Sequence, residues 1–296
     1  MEKLFLIIIL IVTFSCSDDV NIETDNAATK DFVFEKSRII EDYKIPLEDI
    51  EYLQALGFSG SSGIVLEKTD LVRDEVYISY LMEGDIEIKK DNLKSMVEGF
   101  RSDVFTKQYR TTNLVNSPRT IRVIGINFYH SELKQGLTQA IENYNNLPIG
   151  LNFTLEFRRI RSIQQAIQAQ NDSDIIASVG TGDPGGYAGF PTGGNPYPAV
   201  TVNSSTSIQF SLDVVEHVFT HEIGHTIGFR HTDFFDRSIS CGTGGNEGAG
   251  TVGAIHIPGT PQMVNIDLNS VMLACFNAFE TGEFSNFDVT ALTTLY

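Results

Sequence analysis

His221, Glu222, His225 and His231 are the residues whose types and spacing carry chemistry in this chain. They stand in His221-Glu222-Ile223-Gly224-His225-Thr226-Ile227-Gly228-Phe229-Arg230-His231, an HExxHxxGxxH string. Two histidines four apart lie one helical turn above each other, so both imidazoles can reach one metal ion. Glu222 points beside that ion, where it can take a proton from an activated water. Gly228 is where the chain must leave the helix, with φ > 0 at no steric cost. The turn returns His231 as a third ligand. Three nitrogens leave the fourth position of a tetrahedral zinc open, the arrangement of a catalytic rather than a structural site. The plain alternative, a core helix carrying stray histidines, leaves the match of all five fixed positions unexplained.

The surrounding pattern supplies elements to hold these residues. Ser211 is a good N-cap for the histidine helix and Asp213 suits its first turn. Leu212, Val215, Phe219 and Ile223 face a core, while His221 and His225 face a cleft. Upstream, Thr120–Ile126, Leu133–Leu147, Phe153–Phe157, Ser162–Gln170 and Ser173–Val179 read as β-α-β-α-β, a twisted sheet with helices against it. The Gly- and Pro-rich stretch 180–198 reads as a long surface loop, in which Gly189-Phe190-Pro191 can lie beside a substrate. Asp183 there could bind calcium, but nothing around it forms a known pattern. Ala199–Val202 is a short strand, and 287–296 a terminal helix with Asp288 as cap. His130, His217 and His256 have no ligand partner at a telling spacing; His217, one turn before His221, borders the site or is simply hydrogen-bonded.

Nearer the N-terminus, Pro46–Gly57 and Lys90–Val97 read as helices and Val76–Tyr80 as a strand, a small α/β unit over 31–116 that precedes a catalytic unit over 117–296. The 296 residues have room for both. A net charge of −17 argues against a nucleic-acid partner, which calls for basic patches. Leu4–Phe14 is an apolar run too short to span a bilayer comfortably and right for a signal-peptide core. Ser15-Cys16 after it resembles a bacterial lipobox, with Cys16 the lipidated residue, although Thr13 and Phe14 depart from the usual pattern. Ser17-Asp18-Asp19 is similar to the acidic signal for the outer face of the outer membrane. An ordinary secretory signal with an incidental cysteine is the other reading; either exports the chain. Residues 16–30 then form a flexible tether. In an exported protein, Cys241 and Cys275 most simply pair, a bridge worth ~3 kcal/mol; zinc ligation by these thiols lacks the CxxC spacing.

The zinc string, followed by Ser270-Val271-Met272 and a terminal helix, resembles the metzincin clan of zinc peptidases. His-Glu-Ile-Gly-His with His231-Thr232-Asp233 is most similar to the bacterial HEIGH metallopeptidases, the M57 family. The resemblance implies an α+β fold, with a twisted mixed sheet over the active-site helix and an irregular lower subdomain. It also implies Met272 as a floor beneath the metal, one catalytic zinc, and an extended protein or peptide substrate paired with an edge strand near Gly189-Phe190. Position 274 is alanine, so the tyrosine that swings onto zinc in some metzincins has no counterpart there. Glu83-Gly84-Asp85-Ile86 resembles the aspartate switch of astacin propeptides, which makes Asp85 a candidate latency ligand; a plain Gly-Asp turn between strands is the alternative. The expected activity is that of a surface-anchored zinc endopeptidase using Glu222 as general base. Its rival is a surface-displayed binding lipoprotein with a structural or vestigial zinc site.

Overall fold

The computed structural model describes residues 35–56, 58, 63–98, 108–248, 252–261 and 266–296. The export signal, Cys16 and the tether lie outside the described residues. Four strands open the described chain: β1 (Glu35–Ile39), β2 (Ile64–Asp70), β3 (Glu75–Met82) and β4 (Ile86–Lys89). They pair antiparallel in order. Asp70 closes the β2–β3 hairpin by accepting the N–H groups of Val72 and Arg73 at 2.8 and 3.0 Å. Glu83-Gly84 turns β3 into β4 with φ of 59° and 98°. Between β1 and β2 runs α1 (Leu47–Ala55), started by Pro46; after β4 comes a 3₁₀ turn (Lys90–Asn92) leading into α2 (Leu93–Glu98). Leu53, Leu56, Tyr80, Met82, Ile86 and Ile88 bury together here, with Phe190 and Val252 from far along the chain in the same cluster.

A short β5 (Tyr109–Arg110) precedes the crossovers β6 (Arg119–Ile126), α3 (Ser131–Asn145), β7 (Leu151–Arg158), α4 (Ile163–Asp172) and β8 (Ile175–Gly180). Next are β9 (Gly186–Ala188), β10 (Ala199–Asn203), α5 (Ser204–Gln209), the histidine helix α6 (Leu212–Ile227), α7 (Ser238–Cys241), β11 (Ile255–His256) and α8 (Asn286–Leu295). The stretch 180–198 is therefore not one long loop, because β9 pairs with β10 inside it. Ser285, not Asp288, caps α8; Asp288 sits at the third helical position and completes a capping box.

Nine of these strands form one curled mixed sheet in the order β1-β2-β3-β4-β9-β10-β8-β6-β7, and β5 pairs antiparallel with β11 apart from it. Its α/β half is parallel through β7, β6, β8 and β10. Alternation on β6 sends Ile121 and Val123 into the core under α3 and α6, and Ile124 and Ile126 to the opposite face under α4. Val215, Phe219 and Ile223 of α6 enter the first core fully buried, which leaves the other side of the helix for polar side chains. Beyond α6 the chain is mostly irregular. Cys241 and Cys275 are joined by a disulfide across this lower part.

Candidate active site

Helix α6 is capped by Ser211, whose hydroxyl accepts Val214 N–H at 3.4 Å. It ends at Gly228, in the left-handed region at φ 115°. A side chain there would be strained and would also meet Asn113 O at 3.0 Å. The chain beyond is held by the strand before β6: Thr111 N donates to Gly228 O at 2.7 Å and Arg230 N to Tyr109 O at 2.8 Å. His231 is thereby carried back over the helix. His221, His225 and His231 come together as the spacing predicts, their ring centroids 4.5 to 5.3 Å apart.

The hydrogen bonds on the far side of each ring decide what the near side can do. His221 Nδ1 lies 2.7 Å from Val271 O and His225 Nδ1 lies 2.8 Å from Phe229 O. His231 Nδ1 lies 2.7 Å from Glu247 Oε1. Carbonyl and carboxylate oxygens only accept, so each Nδ1 carries a proton, and in the neutral ring Nε2 is then the atom that offers a lone pair. His221 and His225 nevertheless bring those Nε2 atoms to 2.9 Å. Two lone pairs at that separation repel unless a cation lies between them.

Asp85 completes the set. Its Oδ2 lies 2.9 Å from His231 Nε2 and 3.7 Å from His221 Nε2. One donor atom from each of Asp85, His221, His225 and His231 falls within 4.8 Å of the other three. Burial alone would lower His231, but Asp85 and Glu247 on either side outweigh it and favour a protonated ring. His231 Nε2 faces Asp85 Oδ2, and a metal ion bound there would take the place of that proton. Three imidazoles and a carboxylate aimed at one point fit a zinc ion.

Glu222 stands beside this cluster with Oε2 buried and unpaired. Burial pushes its carboxyl well up, Asp85 adds to the rise, and His231 opposes it. The room it occupies depends on β9. A Cβ on Gly186 would lie 2.9 Å from Glu222 Cγ. Below the helix, Met272 Sδ would meet a Cβ on Gly224 at 2.6 Å, so the glycine of the HEIGH string is a contact surface for the methionine. Asp288 holds that turn, accepting Ser270 Oγ–H at 2.7 Å and Val271 N–H at 2.9 Å. Thr232 N donates to Met272 O at 2.7 Å. The rings of Phe190 and His225 meet nearly at right angles, their centroids 5.7 Å apart.

Of the other sequence candidates, His217 is buried one turn before His221, near Glu280 at 3.9 Å, and burial lowers it to about 3. Cys16 lies outside the described residues, and Asp183 joins no group of potential metal ligands among those described. Glu247, Arg230 and Arg237 carried no motif signal, because they belong to irregular segments where spacing does not encode proximity. Arg230 Nη2 and Arg237 Nε both lie 3.4 Å from the Glu247 carboxylate. Arg237 Nη1 also donates to Glu83 O at 2.7 Å.

Two solved structures of myroilysin resemble this chain weakly. One is 13% identical, covers 66% of this chain and 89% of that one, and has a TM-score of 0.38. The other is 14% identical, covers 62% and 86%, and has a TM-score of 0.37. No curated protein matches. The family model M57, described as the dual-action HEIGH metallo-peptidase, matches residues 80–296, which takes in the Asp85 turn, the histidines and the Met272 segment. With most of its length so matched, the chain belongs to the HEIGH metallopeptidase family.

Proposed function

We propose that this metallopeptidase is an exported zinc endopeptidase of metzincin type, held latent by its own Asp85. The observation that carries the reading is the convergence of one ligand atom from each of three imidazoles and one carboxylate, all within 4.8 Å of one another. His221, His225 and His231 would hold the ion and Asp85 would fill the position that water needs. When bound, zinc supplies a Lewis acid that lowers the pKa of water towards ~7 and polarises a carbonyl. Glu222, unpaired and raised by burial, accepts the proton of the attacking water and returns it to the leaving amine. Met272 packs beneath the helix and keeps the first two histidines in register.

β9 is the strand that would bind substrate backbone. Here β4 runs parallel to it, with Ile86 opposite Ala188, and Ala188 N donates to Asp85 O at 2.9 Å. The N-terminal strands thus cover the edge and the metal position together. A substrate in extended form would take the same edge once β4 left it. The N-terminal signal, Cys16 and the Cys241–Cys275 bridge support an oxidising, extracytoplasmic setting with a lipid anchor.

The second reading, a surface-displayed binding lipoprotein with a structural zinc site, draws on the same contact. Four protein ligands saturate a tetrahedral ion, and β4 is part of one continuous sheet. Zinc content and casein cleavage by full-length protein, by protein trimmed to about residue 108, and by trimmed Glu222→Gln separate the two. The peptidase reading expects zinc in all three and cleavage, abolished by a chelator, in the trimmed parent above all. Persistent activity in Glu222→Gln would remove the general-base assignment, and an inert, zinc-loaded trimmed protein would leave the binding reading.

A further inference from the structure

We infer that Glu247 is a positioning residue for the metal centre, one that orients His231 and strengthens it as a ligand. The inference rests on the zinc reading above and assigns a role to a residue outside the HExxHxxGxxH string.

The three rings are held by different means. His221 and His225 are fixed by the helix that carries them, and their Nδ1–H groups donate to main-chain carbonyls, Val271 O and Phe229 O. His231 lies past the Gly228 turn, where no helix sets its rotamer. Its Nδ1 donates instead to a carboxylate oxygen, Glu247 Oε1, at 2.7 Å, with both side chains 1% exposed. A carboxylate acceptor fixes the tautomer that leaves Nε2 free. It also makes the ring a stronger donor to a cation than a carbonyl acceptor does.

Glu247 is itself held on several sides. Its N–H donates to Phe234 O at 2.7 Å. Arg230 Nη2 approaches Oε2 at 3.4 Å and Arg237 Nε approaches Oε1 at 3.4 Å. Arg237 N donates to Gly245 O at 3.0 Å and so closes the loop that presents the glutamate. Two guanidinium groups on one buried carboxylate keep it charged and in place. The contact with His231, at 2.7 Å, is the shortest that this carboxylate makes with any of the three.

The test is zinc affinity by chelator competition on the full-length protein, for parent, Glu247→Gln, His231→Ala and the double variant. Glu247→Gln keeps the shape and an acceptor oxygen but not the charge, and the expected loss of affinity is about 10- to 100-fold. In the His231→Ala background the same substitution should change affinity by less than about twofold, because Glu247 acts through that ring. Glu247→Asp keeps a charge for both arginines but withdraws the oxygen by one methylene. It covers the case in which the glutamine variant does not fold, and about a threefold or larger loss is expected. Parent-like affinity in a folded Gln or Asp variant, or an equal loss with and without His231, overturns the inference. A parent that binds no zinc would instead remove the reading of the site on which it stands.

Discussion

Asp85 Oδ2 lies 2.9 Å from His231 Nε2 although the two residues are far apart in sequence and on different strands and turns. The contact exists because the β3–β4 turn is forced over at Glu83 and Gly84, both at positive φ, and because Ile86 then pairs with Ala188 beside the histidines. One turn therefore delivers a carboxylate to the histidines and a strand to the edge of β9.

Asp85→Ala separates these two blocks. The variant should keep zinc through its three histidines. It should cleave a short peptide at least roughly tenfold faster than the full-length parent, while a long unfolded protein remains a poor substrate because β4 still occupies β9. Steady-state rates on both substrates check this. Equal parent and variant rates on the short peptide would mean that Asp85 does not guard the site.

Gly224→Ala tests the floor under the helix. The added methyl would sit 2.6 Å from Met272 Sδ and 3.3 Å from Tyr144 Oη. The thioether can swing, but Met272 is buried and Tyr144 is tied to Thr220 O at 2.8 Å. A destabilisation of ~1–3 kcal/mol is expected, read by urea unfolding, together with weaker zinc binding as the helix shifts. In a Met272→Ala background the Gly224→Ala change should cost less than it does in the parent, because the sulfur it meets is gone.

Asp288 predicts a pH dependence of stability. It accepts hydrogen bonds from Gln108, Ser270, Val271 and Ser285, yet burial, the largest effect, pushes its carboxyl up to about 6. The unfolded value is near 3.9. Between roughly pH 4 and 6 the folded state therefore binds more protons than the unfolded one, and stability falls as pH rises. The contribution is complete below about pH 4 and lost above about pH 6, ~3 kcal/mol at most. Urea unfolding of parent and Asp288→Asn at pH 4 and 7 should show the larger gap at pH 4; a gap that widens towards pH 7 contradicts the assignment.

The Cys241–Cys275 bridge braces the segment that carries Asp233 and the Met272 turn. Ala274 N donates to Asp233 Oδ1 at 2.9 Å, and Cys275 N to Ser240 Oγ at 3.1 Å. Replacing both cysteines with serine should lower stability by ~2–4 kcal/mol, with a matching drop in melting temperature that reducing agent reproduces in the parent. No change on reduction would indicate that the two hydrogen bonds suffice.

What the sequence determined by itself is local and periodic. The reach of His221 and His225 to one point follows from the helical repeat, the exit at Gly228 from its freedom at positive φ, and the parallel crossovers from alternating patterns between 120 and 180. The pairing of Cys241 with Cys275 was legible on other terms, from the expectation of export and from their being the two cysteines left beyond Cys16. Contacts made by irregular chain were not. Glu247 and Arg237 lie in a segment with no period, and their meeting with His231 is decided by how the lower part packs around the bridge. The short β9 was hidden in a glycine-rich stretch because three residues show no alternation, and its pairing with β4 is a long-range choice. Asp85 stood between: its turn was readable from Glu83-Gly84 and the resemblance to an aspartate switch offered it as a ligand, while the contact itself depends on the N-terminal strands joining the sheet beside the histidines.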